Sequence, residues 1–446
     1  MSEKTLFELP APEEPRGGPA TRPEEARVVR PDRQQLQWAP VDLESLVPQD
    51  HAARAIWGFL EKLDLSAFYG PIRAVVNRPG RPTTDPQVLL ALWLLATVDG
   101  IGSARRLARL CEEHDGYRWL RGHVPINYHM LSDFRVAHQE ALNDLLTQII
   151  ASLMAAGAVS LERVAQDGMR VRASAGAASF RGKKGLEGCL ERARAQVERL
   201  AKERERPDPG VTRREQGARE RAAREREERV QQALTYLPQA QAKKERQQHT
   251  KATAERSKVT AALVSTTDPQ ARVMKMPDGG FRPAYNVELA TDSAKGIIVG
   301  VAVTSEGTDA GQAAPMEEQV FNRTGQHPNT YLIDGGFATR EDITALEQRA
   351  VSVYAPVRLR RNRPEQERYQ PRYEDGPQVV RWRQRMATEE AKAVYRQRGS
   401  IAEWTNAQVR LHGVSQFTVR GLAKVTTMAL LVAVAHNFLR WEAFMG

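Results

Sequence analysis

The order in which the hydrophobic period changes along the second half of the chain is what most constrains its fold. Residues 162–172 (Glu-Arg-Val-Ala-Gln-Asp-Gly-Met-Arg-Val-Arg) alternate apolar and polar, with Val164 and Val171 bracketing Asp167, which is the period of a strand. Ala284-Tyr-Asn-Val-Glu-Leu-Ala290 and Ile297-Ile-Val-Gly-Val-Ala-Val303 are β-rich runs around Asp292-Ser-Ala-Lys-Gly296, a turn composition, and predict a hairpin. A helix over 309–321, a strand at 330–333 ending on Asp334-Gly-Gly336, a helix over 339–350 and a strand at 351–354 are expected next. The polar stretch 356–378, rich in Arg and Pro, reads as a loop, and helical pattern returns from about Glu389. Strand, insertion, strand, strand, helix, strand, helix, strand, helix describes an α/β chain with a mixed sheet and flanking helices.

The insertion is chemically distinct. Within 191–230, 13 Lys and Arg and 10 Asp and Glu fill 23 of 40 positions, with both signs interleaved at helical spacing, as in Glu220/Arg224 and Glu225/Arg229. Leu186, Leu190, Ala193, Val197 and Leu200 step by four and three; Pro207-Asp-Pro-Gly210 breaks the seam, and Val230, Leu234 and Leu237 resume it. A charged, coiled-coil-like antiparallel hairpin over 180–258 is expected, a solvated face that can also clamp DNA or a second protomer.

Ahead of the sheet, residues 1–33 mix prolines, glutamates and glycines without any period, so a disordered tail is expected. Residues 34–158 read as short capped helices: Ala53, Ile56, Phe59, Leu60 and Leu63 recur at helical spacing, Thr84-Asp85-Pro86 opens a second helix, and Ser103 caps a third with Leu107, Leu110 and Cys111. A fourth begins near Asn127. Three short helices in a row resemble a helix-turn-helix, whose last helix would offer Asn127, Tyr128, His129, Ser132 and Arg135 to a groove or to phosphates. An all-α accessory bundle fits the same pattern.

Composition narrows the class. With 41% hydrophobic and 27% charged residues, 446 residues suffice for two or three modules and exclude both wholesale disorder and a membrane-embedded body. The 65 Lys and Arg against 55 Asp and Glu give +10, which makes a polyanion the first partner to consider. Cys111 and Cys189 are too few for a disulfide framework or a cysteine zinc site, so a reducing cytosol is expected. The beginning of the chain lacks the apolar run of a secretory signal. The apolar stretch 425–438 is shorter than the ~20 residues of a spanning helix and carries His436 and Asn437, so a buried terminal helix and no membrane partner are expected.

Three acids fall at telling places: Asp167 in the first strand, Asp334 at the end of the fourth, and Glu403 on a late helix behind Tyr395-Arg-Gln-Arg398. At these residues the chain resembles the DDE transposases of bacterial insertion sequences, in the group with a Tyr-x-x-Arg…Glu…Lys/Arg signature, here Tyr395, Arg398, Glu403 and Arg410. Thr267-Asp-Pro-Gln-Ala-Arg272, Gly279-Gly-Phe-Arg-Pro-Ala-Tyr-Asn-Val287, Asp334-Gly-Gly-Phe337, Glu403-Trp-Thr-Asn-Ala-Gln408 and Arg420-Gly-Leu-Ala-Lys-Val425 extend the likeness over roughly 40–440. One departure is His412, where the group usually has a basic residue before the glycine that is Gly413 here.

The resemblance implies an RNase H-like catalytic domain over 159–446 that carries the 180–258 insertion, behind a DNA-binding helical domain over 34–158. It implies metal-dependent cleavage at transposon ends and strand transfer, with Asp167, Asp334 and Glu403 as catalytic metal ligands for two Mg²⁺ ions, Mn²⁺ being able to substitute. The partners implied are double-stranded DNA, both terminal inverted repeats and target, and a second protomer in a synaptic homodimer, in the bacterial cytoplasm at the nucleoid. The chemistry asks for these residue types: Mg²⁺ takes hard carboxylate oxygens, and two ions ~4 Å apart stabilise attacking and leaving oxygens together. Three converging carboxylates repel one another, so at least one pKa should rise without a cation. Arg398 and Arg410 would grip phosphates, Tyr395 would stack or hydrogen-bond, and Gly335 and Gly336 would let a DNA backbone approach Asp334. Taken singly, Asp334-Gly-Gly is an ordinary turn, the arginines are a solvated helix face, and Asp309 with Gln312 merely opens a helix. A DNA-binding derivative without activity is the alternative, which the three intact acids disfavour.

Overall fold

The computed structural model describes residues 42–74, 82–205, 210–249, 261–359 and 364–445. The tail 1–33 lies outside them, as does 250–258 of the insertion. The first helices start where side chains cap them: α1 (Ala52–Leu60) at His51, α3 (Pro86–Val98) at Asp85, α4 (Ala104–Glu113) at Ser103 and α6 (Tyr128–Ala137) at Asn127. Between and after them come α2 (Ser66–Tyr69), α5 (Asp115–Arg121) and α7 (Gln139–Ala155). Helix α3 is buried on every side from Val88 to Thr97, so it forms the centre of the helical layer.

The strands are β1 (Arg163–Arg172), β2 (Phe180–Arg181), β3 (Val264–Ser265), β4 (Arg272–Lys275), β5 (Phe281–Asp292), β6 (Ile297–Thr304), β7 (Thr330–Leu332) and β8 (Ser352–Tyr354). Strands β2 and β3 pair with each other at the root of a hairpin of α8 (Lys183–Glu205) and α9 (Arg213–His249). In the main sheet β5 runs antiparallel to β1, β4 and β6, while β7 lies parallel to β1 and β8 parallel to β7. Helix α10 (Ala313–Thr324) joins β6 to β7 and α11 (Arg340–Gln348) joins β7 to β8. After β8 come α12 (Pro377–Met386), α13 (Glu389–Arg398), a π-helical turn (Gly399–Glu403), α14 (Trp404–Leu411) and α15 (Leu422–Met445). The mixed α/β character and the helical beginning agree with the sequence reading. Helical structure resumes earlier than expected, at Pro377, because proline in the first helical turn opens a helix where its missing N–H has no partner to lose. Helix α10 starts later, at Ala313, leaving Asp309 in the preceding loop.

Helix α15 packs against α3, α7 and β6. Asn437 on it donates to Ile298 O at 2.8 Å and accepts from Ile298 N at 2.9 Å, which satisfies the outer edge of β6. The segment Leu422–Phe444 is long and apolar enough to cross a membrane, yet 67% of that window is buried inside the fold. The buried residues run as one cluster from Ala53 through the sheet to Phe438, so helices and sheet share a core.

Candidate active site

Successive residues of a strand face opposite sides, and the register Asp167↔Leu289, Gly168↔Glu288 puts Asp167 on one face of β1 and the glycine on the other. The parallel pairing Ala165↔Leu332, continued two residues, brings Asp334 level with Asp167. Past β7 the chain turns over Asp334 itself: Oδ1 accepts from Gly336 N at 2.5 Å and from Phe337 N at 3.3 Å, which fixes the carboxylate at the strand end. A Cβ on Gly336 would lie 2.8 Å from Asp334 Oδ1 and 3.1 Å from Asp309 Oδ2, so the glycine has a reason inside the protein itself.

Arg398 and Asn406 reach Asp167 from the helices above. Arg398 Nη1 stands 3.4 Å from Oδ1, and Asn406 Nδ2 donates to Oδ2 at 2.8 Å. The intervening π turn explains how one helical run does both. Eight α-helical steps of about 100° would leave the two residues about 80° apart; one extra residue absorbed in the π turn cuts this to about 20°. Burial holds the Asp167 carboxyl above the ordinary carboxylate range, with Arg398 opposing and the charge of Asp334 adding to the rise. Tyr395, one turn before Arg398, is half-buried and hydrogen-bonds it; burial pushes its hydroxyl up.

Glu403 closes the π turn and is exposed, its carboxylate folded back to 3.5 Å from where a Cβ on Gly399 would stand. Among the described residues it makes no hydrogen bond or ion pair, and no three carboxylate, imidazole or thiolate groups converge closely enough to hold an ion. Asp167 and Asp334 are therefore together and Glu403 stands beside them. The donor chemistry fits a hard cation all the same. Two half-buried carboxylates lie close enough for the charge of Asp334 to act on Asp167, and Asn406 Oδ1 on the residue that holds Asp167 is buried without a hydrogen-bond partner among the described atoms.

On the other face of β1, Asn286 Nδ2 donates to Glu288 Oε1 at 2.6 Å and to Asp309 Oδ1 at 2.8 Å, and Gln166 Nε2 donates to Glu288 Oε2 at 3.2 Å. Glu288 is fully buried, and its carboxyl is pushed up to about 8, by burial first and then by Asp309. A Cβ on Gly168 would come within 3.1 Å of Glu288, Asp309 and Asn286 alike, so that position admits no side chain. Sequence reasoning missed Asn406 and Glu288. Asn406 lies in a stretch that carries the family likeness and Glu288 directly follows another, but nothing in their spacing marks them.

The remaining predicted residues lie apart. Arg410 is exposed in the last turn of α14. Asn127 uses its side-chain oxygen to cap α6, accepting from His129 N and Met130 N. Arg135 corrects an expectation: it is buried, its guanidinium lying over Trp93 and donating to Gly102 O at 2.5 Å, and so it ties helices together and turns no face to a phosphate. His412 is also buried, and burial lowers its pKa.

Residues 41–137 match the family model "Transposase domain (DUF772)", and residues 360–441 match the model "Transposase DDE domain". No curated protein and no solved structure gives a significant match. A transposase is thus the class of protein in which both ends of the described chain fall. Within that class the two matches support a DDE transposase of an insertion sequence. The second matched stretch contains Tyr395, Arg398, Glu403, Asn406 and Arg410; Asp167 and Asp334 lie outside both.

Proposed function

We infer that this transposase cuts DNA at the ends of its element and joins the freed ends to a target at the Asp167–Asp334 site. The observation that carries this is the meeting of two carboxylates from different strands beneath Arg398 and Asn406, which come from the stretch matched to the DDE domain. The sheet supports an RNase H-like catalytic fold: four strands joined antiparallel (β1, β4, β5 and β6) continue into the parallel β7 and β8, with Asp167 on β1 and Asp334 just after β7. Residues 159–446 would be that catalytic domain, with the α8–α9 hairpin inserted in it.

Asp167, Asp334 and Glu403 would hold divalent cations, Mg²⁺ or Mn²⁺, with Glu403 turning inward from its exposed position on the π turn. Bound there, two such ions supply charge stabilisation to the attacking and leaving oxygens of a phosphodiester. The chain's own groups do the rest. Arg398, held by Tyr395, presents a guanidinium beside Asp167 and orients the scissile phosphate, and Asn406 fixes the Asp167 carboxylate in one rotamer. Water opens the first phosphodiester and leaves a 3′-OH; that hydroxyl attacks a second phosphodiester, giving its proton to solvent while the displaced 3′ oxygen takes one up. The partners would be double-stranded terminal repeats, target DNA and a second protomer, in the bacterial cytoplasm.

A joining assay tests this reading. A labelled duplex ending in the element's terminal repeat, mixed with a circular target and Mg²⁺, should yield label covalently attached to the target. Cut ends without joined product would make the chain a plain nuclease.

A further inference from the structure

We propose that the outer face of α4, with Arg105, Arg106 and Arg109, binds the phosphate backbone of double-stranded DNA as a continuation of the active-site track. Helix α4 buries Ala104, Leu107 and Cys111 and turns the three arginines outward. Arg105 and Arg109 are four residues apart and Arg106 and Arg109 three, spacings at which like charges on a helix repel. Two of the three sit in the first turn, where the helix dipole disfavours a cation. Nearby arginines are neutralised inside the protein, Arg118 by Asp115 and Arg121 by Glu112. Among the described residues Arg105, Arg106 and Arg109 form no such ion pair, and Arg105 lies 5.1 Å over the exposed ring of Tyr128. A stable fold gains nothing from three crowded, exposed cations; a polyanion laid across them removes the repulsion and releases counterions. The three line one surface groove of about 510 Å³ together with Ser103, Ala108, Tyr128 and two carboxylates, Glu112, which is paired with Arg121, and Glu113.

The position of α4 identifies the polyanion. The loop before it docks on the segment that follows α14: Thr418 Oγ1 donates to Gly102 O at 2.9 Å, and Gly100, at φ +69°, lies so close to Leu411 that a Cβ there would be 3.0 Å from Leu411 O. Leu411 is roughly 8 Å of helix beyond Asn406, with Arg410 between. A duplex with its scissile phosphate at Asp167 and its axis along α14 would pass Arg410 and reach the loop that opens α4. This rests on the transposase reading of the Asp167 site, and it moves the nucleic-acid contact of the helical region from α6 to α4.

The test uses the full chain and fluorescence anisotropy of a labelled duplex of roughly 30 base pairs over a range of NaCl concentrations. R105A/R106A/R109A should weaken binding at least tenfold near 0.1 M salt and flatten the log–log salt slope by about 2 to 3, at ~0.9 per phosphate contact. Its thermal midpoint should equal or exceed that of the parent chain, because repulsion is removed. R105K/R106K/R109K keeps the charges and should keep the slope. An alanine variant with the parent slope and affinity, or a stronger loss for single-stranded DNA than for the duplex, would overturn the proposal. Asp167→Asn retains the three arginines and should bind with the parent slope while failing to cut, so a failure of the catalytic reading shows in cleavage alone.

Discussion

Arg398 lowers the pKa of Asp167 against burial and against Asp334, so removing its guanidinium should raise that pKa further. If cleavage needs Asp167 ionised, the acid limb of the pH–rate profile shifts to higher pH in Arg398→Ala and returns toward the parent position in Arg398→Lys; an unmoved limb would show that Arg398 acts on phosphate alone. Glu288 gives the opposite handle. Its folded pKa, about 8, lies above the ordinary value of 4.5, so its neutral form stabilises the fold fully below about pH 4.5, and that contribution is lost as pH rises through 8. Glu288→Gln should therefore stabilise the fold at pH 9 by on the order of a few kcal/mol, read as a higher thermal midpoint, and change little at pH 5. Equal midpoints at pH 9 would mean that the carboxyl ionises there without cost. At this scale the sequence marked Asp167 and Asp334 through residue type at a strand position and a strand end. It could not mark Asn406 or Glu288, whose roles come from pairing across 239 and 122 residues. Nor could it show that Arg135 is buried, since helical spacing alone does not reveal which neighbour covers a face.

Elements were legible where local chemistry decides them. The β1 alternation, the β5–β6 turn and the caps of α3, α4 and α6 lie within one or two residues of where the sequence put them, because each depends on near neighbours. The π turn left no such trace. No residue in Gly399-Ser-Ile-Ala-Glu403 demands it; it exists because α13 and α14 must both face β1. Inserting one alanine after Ser400 should exceed what a single π turn absorbs and rotate Arg398 away from Asn406 by about 100°. Cleavage should then fall by roughly a hundredfold or more while circular dichroism keeps its helical signal, the scale on which supports of a metal-binding carboxylate act. Full activity in that variant would show that the π turn positions nothing.

At the scale of the whole molecule, the sequence suggested separable modules, whereas α3 and α7 share with α15 and β6 a core that runs from Ala53 to Phe438. Local periodicity identifies each helix but carries no information on which helix it meets 300 residues later. Thermal unfolding of the full chain, followed by near-ultraviolet and far-ultraviolet signals together, should show the helical and sheet regions melting in one transition. A chain lacking residues 43–158 should fail to give a cooperative transition at all, because α15 loses its partners; two well-separated transitions in the full chain would contradict the shared core. In the proposed function these regions jointly build a place for two aspartates to meet a scissile phosphate, and cutting is its most direct readout. With a duplex carrying the element's terminal repeat and Mg²⁺, the parent chain should cut at the end of the repeat. Asp167→Asn and Asp334→Asn should each lose roughly a thousandfold in rate, the several kcal/mol of charge stabilisation a hard cation supplies, with DNA affinity and thermal midpoint retained. Cleavage that persists in EDTA at the Mg²⁺ rate, or in either variant at the parent rate, would contradict the assignment of this site.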